Sequence, residues 1–149
     1  MGKKKRIRPL AVCVFRNGNR IMLEESYDPT KDEVFYRPPG GGIHFGETSE
    51  KALCREMEEE IGVVPKNPTV LGVLENLFVF DGEPGHEIVF VYDAEMPDPA
   101  LYEQEEFRGY ESDGEPIRAF WQDLNEIGPD TPPIYPDDLL ELLEEVRNR

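Results

Sequence analysis

The segment PLAVCVF at residues 9–15 constrains the fold more than any other part of the sequence. In a strand, alternate side chains point to opposite faces of the sheet, and here both alternating sets are apolar. Such a strand must be covered on both faces. The segment therefore predicts a strand inside a sheet that lies between two helical layers, in an α/β fold with a mixed sheet.

Turn signals predict two β-hairpins around this sheet. The dipeptide Asn17-Gly18 stands between two strand-like runs and is typical of a tight hairpin turn. A second hairpin is expected across DGEPG at residues 81–85. Between the hairpins, a polar loop and the Pro- and Gly-rich segment 36–47 predict irregular backbone, followed by a helix that begins at Thr48 or Ser49.

The second half of the chain gives weaker signals. Residues 97–115 form an acidic stretch of about twenty residues that reads as a long loop, and a loop of that length is usually functional or mobile. A short strand at residues 116–121 and a C-terminal helix beginning near Pro136 follow. At 149 residues, the chain is expected to form a single domain, residues 1–149, with residues 1–6 as a flexible basic arm.

Charge and cysteine content exclude several classes of partner. With 32 acidic and 16 basic residues, the formal net charge of −16 argues against a nucleic-acid polymer or an anionic membrane as the main partner. No apolar run approaches the length of roughly 18–20 residues that spans a bilayer. Two cysteines, Cys13 and Cys54, and no signal-peptide pattern favour a reduced cytoplasmic protein.

The helix that ends at Gly62 carries an unusual group of acids. On a helical wheel, Glu56, Glu59 and Glu60 fall together beside the apolar face, although like charges at this spacing repel each other. Grouped carboxylates suit hard cations such as Mg²⁺ or Mn²⁺, whereas two histidines are too few for a convincing zinc site. On the wheel alone, a solvated acidic surface is an equally plain interpretation.

The wider spacing decides between these interpretations. From Gly41 the chain reads GGIHFGETSEKALCREMEEEIGV, which is Gly, five residues, Glu47, seven residues and then the run Arg55 to Val63. This resembles the Nudix box, G-x5-E-x7-R-E-U-x-E-E-x-G-U, in which U is a bulky aliphatic residue, and every fixed position is filled. The resemblance implies a Nudix-type α/β/α sandwich and metal-dependent hydrolysis of a phosphoanhydride in a nucleoside diphosphate derivative.

The resemblance also implies roles for individual residues. Glu59 and Glu60 match the principal metal ligands, and Glu56 matches a position that binds metal in some members and acts as general base in others. The backbone carbonyl of Gly40 matches a further ligand, and Gly41 lets the loop approach phosphate. The implied cofactor is Mg²⁺ or Mn²⁺, and the expected metal site consists of Gly40, Glu56, Glu59 and Glu60.

Two further box residues are expected to support the site. Glu47 and Arg55 match a pair that forms an internal salt bridge between loop and helix. Many family members also take a carboxylate from a downstream loop as ligand or base. Glu115, where the acidic stretch enters a strand, is the first choice for this catalytic role and Glu111 is the second, followed by the pair at residues 105–106.

Substrate contacts are expected on either side of the box. Arg37 lies just upstream and is placed to reach a phosphate, although a surface salt bridge explains it equally well. Asn76, His86 and Glu87 lie on the second hairpin, where the family often recognises the nucleoside. Sequence signatures of diadenosine polyphosphate, ADP-ribose and coenzyme A hydrolases are missing at their usual offsets.

Two functional hypotheses of different classes follow. The first is a pyrophosphohydrolase whose partner is a small-molecule nucleotide, either a nucleoside triphosphate or a nucleotide linked to a small group. The alternative is a Nudix-fold module that binds or senses a nucleotide without turnover, although such modules commonly lose box carboxylates. A homodimer is among the assemblies that the resemblance allows, because family members are often dimers.

Overall fold

A computed structural model describes residues 5–111 and 113–147 of the chain. Most of the basic arm predicted for residues 1–6 lies outside the described residues, and within it Lys5 and Arg6 are exposed. The described residues form eight strands, two α-helices and two short 3₁₀ turns at Pro99–Tyr102 and Leu124–Glu126. The strands and helices are β1 (Arg8–Asn17), β2 (Arg20–Asp28), β3 (Glu33–Arg37), β4 (Gly40–Gly42), α1 (Ser49–Ile61), β5 (Lys66–Phe80), β6 (Glu83–Glu95), β7 (Glu106–Tyr110), β8 (Pro116–Asp123) and α2 (Leu139–Arg147).

All eight strands belong to one sheet, in the order β5-β6-β1-β2-β8-β7, with β3 paired to β2 and β4 paired to β1. Strands β1 and β6 run parallel, and the remaining strand pairs are antiparallel, so the sheet is mixed as the sequence predicts.

Strand β1 is buried on both faces, which confirms that the sheet lies between two helical layers. Ala11, Cys13 and Phe15 pack on the side of helix α1, whereas Val12 and Val14 pack on the side of helix α2. The alternating apolar pattern thus separates two hydrophobic cores, each closed by one helix.

Helix α1 begins and ends where the sequence indicates. The Thr48 hydroxyl accepts a hydrogen bond from the amide of Lys51, which satisfies one of the free amide groups of the first turn. At the other end, Gly62 adopts a left-handed conformation with φ of 69°, and its amide bonds back to carbonyls of the last turn. Ala52, Leu53 and Met57 are fully buried under the sheet, so these caps fix which side chains face the core.

The structure corrects several loop predictions. Residues 97–115 do not form one long loop, because Pro99–Tyr102 is a 3₁₀ turn and β7 pairs along its length with β8. Likewise, β3 and β4 are short strands where the sequence predicts irregular backbone, since each adds to the edge of a longer strand. The first turn consists of Gly18 and Asn19, one residue later than predicted, and α2 begins later than Pro136.

The space for a site arises where β1 and β2 part. The two strands pair only at Arg16 with Ile21 and at Asn17 with Arg20. Beyond these pairs β1 takes β4 as its partner and β2 takes β3. The sheet is therefore split, and a cavity opens between its halves below the C-terminal part of α1.

Helix α1 lies close against the sheet at Gly109 on β7. A Cβ atom at this position would overlap the backbone carbonyl oxygen of Glu60, and backbone atoms cannot move aside as a flexible side chain can.

We therefore expect Gly109→Ala to lower the free energy of unfolding by about 1–3 kcal/mol, the range of overpacked positions. Denaturant unfolding followed by circular dichroism measures this change. Gly128→Ala is the matched control, because its Cβ would meet open space. Equal stability of the two variants would contradict the close contact of α1 with β7.

Candidate functional site

The cavity between the halves of the sheet has a volume of about 580 Å³. It brings together residues from both sides of the box and from the second hairpin. Of the residues that the sequence singles out, those lining it are Arg37, Gly40, Gly41, Glu56, Glu60, Asn76, Glu87 and Glu111. Glu47, Arg55, Glu59, His86 and Glu115 are not among its lining residues.

Glu56 and Glu60 bring two carboxylates to the wall of this cavity from adjacent turns of α1. Their exposed fractions are 9% and 5%, and Glu60 Oε2 has no hydrogen-bond partner among the described residues. Burial raises the pKa of Glu60 well above its ordinary value, and the nearby carboxylates of Glu24 and Glu56 raise it further. These surroundings therefore disfavour the ionised form of Glu60.

Gly41 allows the β4 backbone to lie against this pair. A Cβ at Gly41 would overlap the carboxylate of Glu56. The absence of a side chain therefore leaves the Glu56 carboxylate room beside the strand, a steric requirement for glycine at this box position.

Arg55 holds the loop and the helix together, as the resemblance implies. Its Nε and one terminal nitrogen donate to the two carboxylate oxygens of Glu47 at 2.8 and 2.9 Å. The same guanidinium donates to the backbone carbonyl of Gly42 at 2.9 Å and to Glu56 Oε1 at 2.8 Å. This arrangement uses the planar, multivalent geometry of arginine to fix Glu56 relative to the glycine loop.

Glu47 is kept ionised by these contacts. Hydrogen bonds from Arg55, and then from the backbone amide of His44, lower the pKa of Glu47 to about 2. The loop–helix pair therefore stays charged well below neutral pH.

Glu59 differs from the other two box acids. Its side chain is 52% exposed, and its nearest cation is Arg55, at 3.4 Å. The helical wheel placed Glu56, Glu59 and Glu60 in one group, but only Glu56 and Glu60 turn inward.

Glu24 on β2 belongs to the site, although sequence reasoning did not select it. It is 2% exposed, its Oε1 accepts a hydrogen bond from Arg37 Nε at 3.0 Å, and its Oε2 has no partner among the described residues. Burial raises the pKa of Glu24 to about 7. The available signal was that Glu24 directly follows the apolar residues 21–23 of β2 and lies on the same face of the strand as Met22.

Arg37 connects Glu24 to the downstream acid Glu111. A terminal nitrogen of Arg37 donates to Glu111 Oε1 at 2.8 Å. Glu111 directly follows β7 and lines the cavity, whereas Glu115 is exposed at the far end of the β7–β8 turn and lines only an adjacent groove, to which Glu111 also contributes. The geometry therefore favours the second choice, Glu111, over the first choice, Glu115.

The second hairpin contributes Asn76 and Glu87 to the cavity but not His86. Asn76 and Glu87 are paired across β5 and β6, and the Asn76 amide approaches Glu87 Oε1 at 3.5 Å. Because neighbouring residues on a strand face opposite ways, His86 points to the other side of the sheet. Phe78 lies on the cavity side and packs over Gly85.

The oxygen-rich wall fits a hard divalent cation. Buried carboxylates with an unpartnered oxygen, close to the glycine loop, form the donor set that Mg²⁺ or Mn²⁺ prefers. Within residues 5–111 and 113–147, no three His, Cys, Asp or Glu side chains are already arranged around a common point as metal ligands. Since Glu56 is held by Arg55, binding a cation would require the carboxylates to reorient.

The sequence profile of the NUDIX domain matches residues 5–144, nearly the whole chain. The chain belongs to the Nudix family. The box at Gly41 to Val63 is therefore a family motif, and the alternative of an accidental acidic surface is excluded.

Curated relatives resemble parts of this Nudix chain. One is the ADP-ribose pyrophosphatase of Methanocaldococcus jannaschii, 37% identical over 84 residues, which are 54% of this chain and 47% of that protein. Another is the 8-oxo-dGTP diphosphatase of Escherichia coli, 45% identical over 70 residues, 46% of this chain and 54% of that protein. The chain spans about half the length of each of these relatives.

Solved structures share the fold. The crystal structure of a MutT NUDIX hydrolase from Burkholderia pseudomallei superposes with a TM-score of 0.67 at 24% identity, covering 95% of this chain and 99% of that one. This match confirms the α/β Nudix architecture. No helix in the described part of the chain is long and apolar enough to cross a membrane.

The buried carboxyl group of Glu60 generates a prediction about the metal-free protein. Because folding raises the pKa of Glu60 to about 10, the folded chain at pH 8 must take up a proton that the unfolded chain does not carry, and this cost disappears below the pKa of the unfolded chain. We expect Glu60→Gln, measured at pH 8 in EDTA, to be more stable than the unaltered chain by about 1 kcal/mol, or roughly 2–4 °C in Tm.

Glu58→Gln is the matched control for this substitution, since Glu58 is exposed on the same helix. We expect it to change the free energy of unfolding by less than about 0.5 kcal/mol. A loss of stability in Glu60→Gln would show that Glu60 is neutralised by a contact other than those seen here.

Proposed function

We propose that this chain is a divalent-metal-dependent pyrophosphohydrolase that uses water to cleave a phosphoanhydride in a nucleoside diphosphate-linked substrate. The observation that carries the proposal is the pair of carboxylates of Glu56 and Glu60, which are buried and line one cavity. Among the described residues, Glu60 Oε2 has no hydrogen-bond partner. Family membership and relatives described as a pyrophosphatase and a diphosphatase support this reaction class.

Glu56 and Glu60, with the Gly40 carbonyl and the more exposed Glu59, are the residues that would hold Mg²⁺ or Mn²⁺. A bound divalent ion neutralises phosphate charge and lowers the pKa of bound water. Arg55 and Glu47 orient Glu56 from the loop side. Glu111 is the proposed general base that takes the proton of the attacking water, because it lines the same cavity and only one of its oxygens is held by Arg37.

The other end of the cavity suits a nucleoside. Phe35 lies there with its ring centroid 5.2 Å from that of Tyr135 and 6.1 Å from that of Phe80. Phe80 is 39% exposed, so an aromatic face remains available for a planar ring. All three residues line the cavity that contains Glu56 and Glu60, which allows one ligand to reach both ends.

The polar groups at this aromatic end are mainly hydrogen-bond acceptors. The carboxylates of Asp28, Glu33 and Asp137 line it, and the Tyr135 hydroxyl already donates to Glu33 at 2.9 Å. Lys31 is engaged by the backbone carbonyl of Val79 at 2.8 Å. A base edge with N–H donors is therefore favoured, and a second phosphate group is disfavoured there because ionised carboxylates repel it.

A product-resolved hydrolysis screen tests this function. It compares nucleoside triphosphates, oxidised nucleotides, nucleotide sugars, ADP-ribose and dinucleoside polyphosphates, each with Mg²⁺, Mn²⁺ or EDTA. We expect turnover of a mononucleotide substrate that requires the metal and falls by about 10²-fold or more in Glu60→Gln, which keeps the shape but removes the charge. Tight nucleotide binding without turnover by the folded protein would instead identify a binding module.

The downstream carboxylate has its own test. We expect Glu111→Gln to lower kcat by about 10²-fold or more, the usual range for a lost general base, while KM changes little. Glu115→Gln removes the same charge from the same turn and is the matched comparison. A larger fall in kcat in Glu115→Gln than in Glu111→Gln would assign the role of general base to Glu115.

Three predictions about partners and location stay predictions. They are a reduced cytoplasmic setting, a homodimer, and a small nucleotide rather than a nucleic-acid polymer as the substrate.

A further inference from the structure

The guanidinium of Arg37 contacts two carboxylates and does not simply point into the cavity. Strand pairing places Glu24 on β2 directly opposite Arg37 on β3. Arg37 Nε donates to Glu24 at 3.0 Å and a terminal nitrogen donates to Glu111 at 2.8 Å. One guanidinium therefore joins a residue on β2 to a residue after β7, two parts of the sheet separated by β8.

The three members of this chain of contacts are buried to different degrees. Glu24 has a side chain that is 3% exposed, whereas the side chains of Arg37 and Glu111 are 43% and 33% exposed. Arg37 is the only hydrogen-bond partner seen for the Glu24 side chain in the described residues. A buried carboxylate with one partner fixes that partner strongly, because releasing it would leave the charge unpaired.

We propose that Arg37 is a positioning residue that holds the carboxylate of Glu111 in the cavity, and that Glu24 fixes Arg37 in turn. The proposal rests on the proposed function, in which Glu111 acts on water. It replaces the simpler expectation that Arg37 binds a substrate phosphate. The contacts run from the buried Glu24 through Arg37 to the more exposed Glu111. This burial of one partner distinguishes the arrangement from a surface ion pair.

The direct alternative, phosphate binding by Arg37, has a different chemical consequence. An arginine that binds phosphate contributes separately from a general base, so the two effects on catalysis multiply. An arginine that acts only through Glu111 contributes nothing once the Glu111 carboxylate is gone. A double-mutant cycle separates these cases.

The cycle compares Arg37→Ala, Glu111→Gln and the double variant on the best substrate of the screen. We expect each single change to lower kcat by about 10-fold or more, with the double variant no slower than Glu111→Gln and with KM within about threefold of the unaltered chain. A double variant whose loss of kcat equals the product of the two single losses would overturn the proposal in favour of phosphate binding. So would a raised KM with kcat unchanged in Arg37→Ala.

The role of Glu24 is tested by a conservative substitution. Glu24→Gln keeps an oxygen that accepts the hydrogen bond from Arg37 Nε, whereas Glu24→Ala removes it. We expect kcat to fall in Glu24→Ala and to be largely restored in Glu24→Gln. Equal losses in both variants would overturn the assignment of Glu24 as the residue that fixes Arg37.

Amide hydrogen exchange at residues 106–116 provides a readout that needs no turnover. We expect faster exchange around Glu111 in Arg37→Ala, because the β7–β8 turn loses its connection to β3. Unchanged exchange there would overturn the positioning role even if the chain proves inactive, whereas loss of activity alone would concern only the proposed function. Arg118→Ala is the control, since Arg118 pairs with Glu25 at 3.9 Å on the same sheet and does not line the cavity.

A second substitution keeps the experiment possible if Arg37→Ala does not fold. Arg37→Ala leaves Glu24 buried without a partner and is expected to lower Tm. If it does not fold, Arg37→Ala combined with Glu24→Gln replaces it in the cycle and in the exchange experiment, because no unpaired buried charge remains. The same outcomes then support or overturn the positioning role.

Discussion

Coverage of β1 on both faces is the constraint on which the other elements depend. Helix α1 closes one face and helix α2 the other, so β1 lies inside the sheet with β6 as its parallel neighbour. Its pairing with β2 ends after the turn, and the two strands then take different short partners. The cavity occupies this split, which means that the packing requirement of one apolar strand also locates the candidate site.

Two arginines organise the acids around this cavity from opposite sides. Arg55 joins Glu47, Glu56 and the glycine loop, while Arg37 joins Glu24 and Glu111. Neither arginine forms a hydrogen bond to Glu60, whose carboxylate is buried among other acids. Burial, and then the neighbouring carboxylates, raise the pKa of Glu60 strongly, and the same group of oxygens is the donor set proposed to hold a divalent cation.

Features that depend on local pattern could be predicted from the sequence. The two-sided pattern of β1, the hairpin turns, the caps of α1 and the box motif are each encoded within about 25 residues, and all of them are present. The short strands β3, β4 and β7 could not be predicted in this way, because glycine, proline and acidic residues become strands there only by pairing with distant partners. Glu24 was missed for a related reason, since its partner Arg37 meets it only after the sheet has formed.

The difference in sequence separation between interacting residues explains why the reaction class is easier to infer than the substrate. The contacts of Arg55 join residues at most 13 positions apart and move with the box as one unit. The contact between Arg37 and Glu111 spans 74 positions, and the aromatic end of the cavity combines residues from β3, β5 and the segment before α2. The proposed cation site therefore depends on a compact motif, whereas the aromatic end of the cavity and the downstream acid depend on how the rest of this particular chain folds over the split in the sheet.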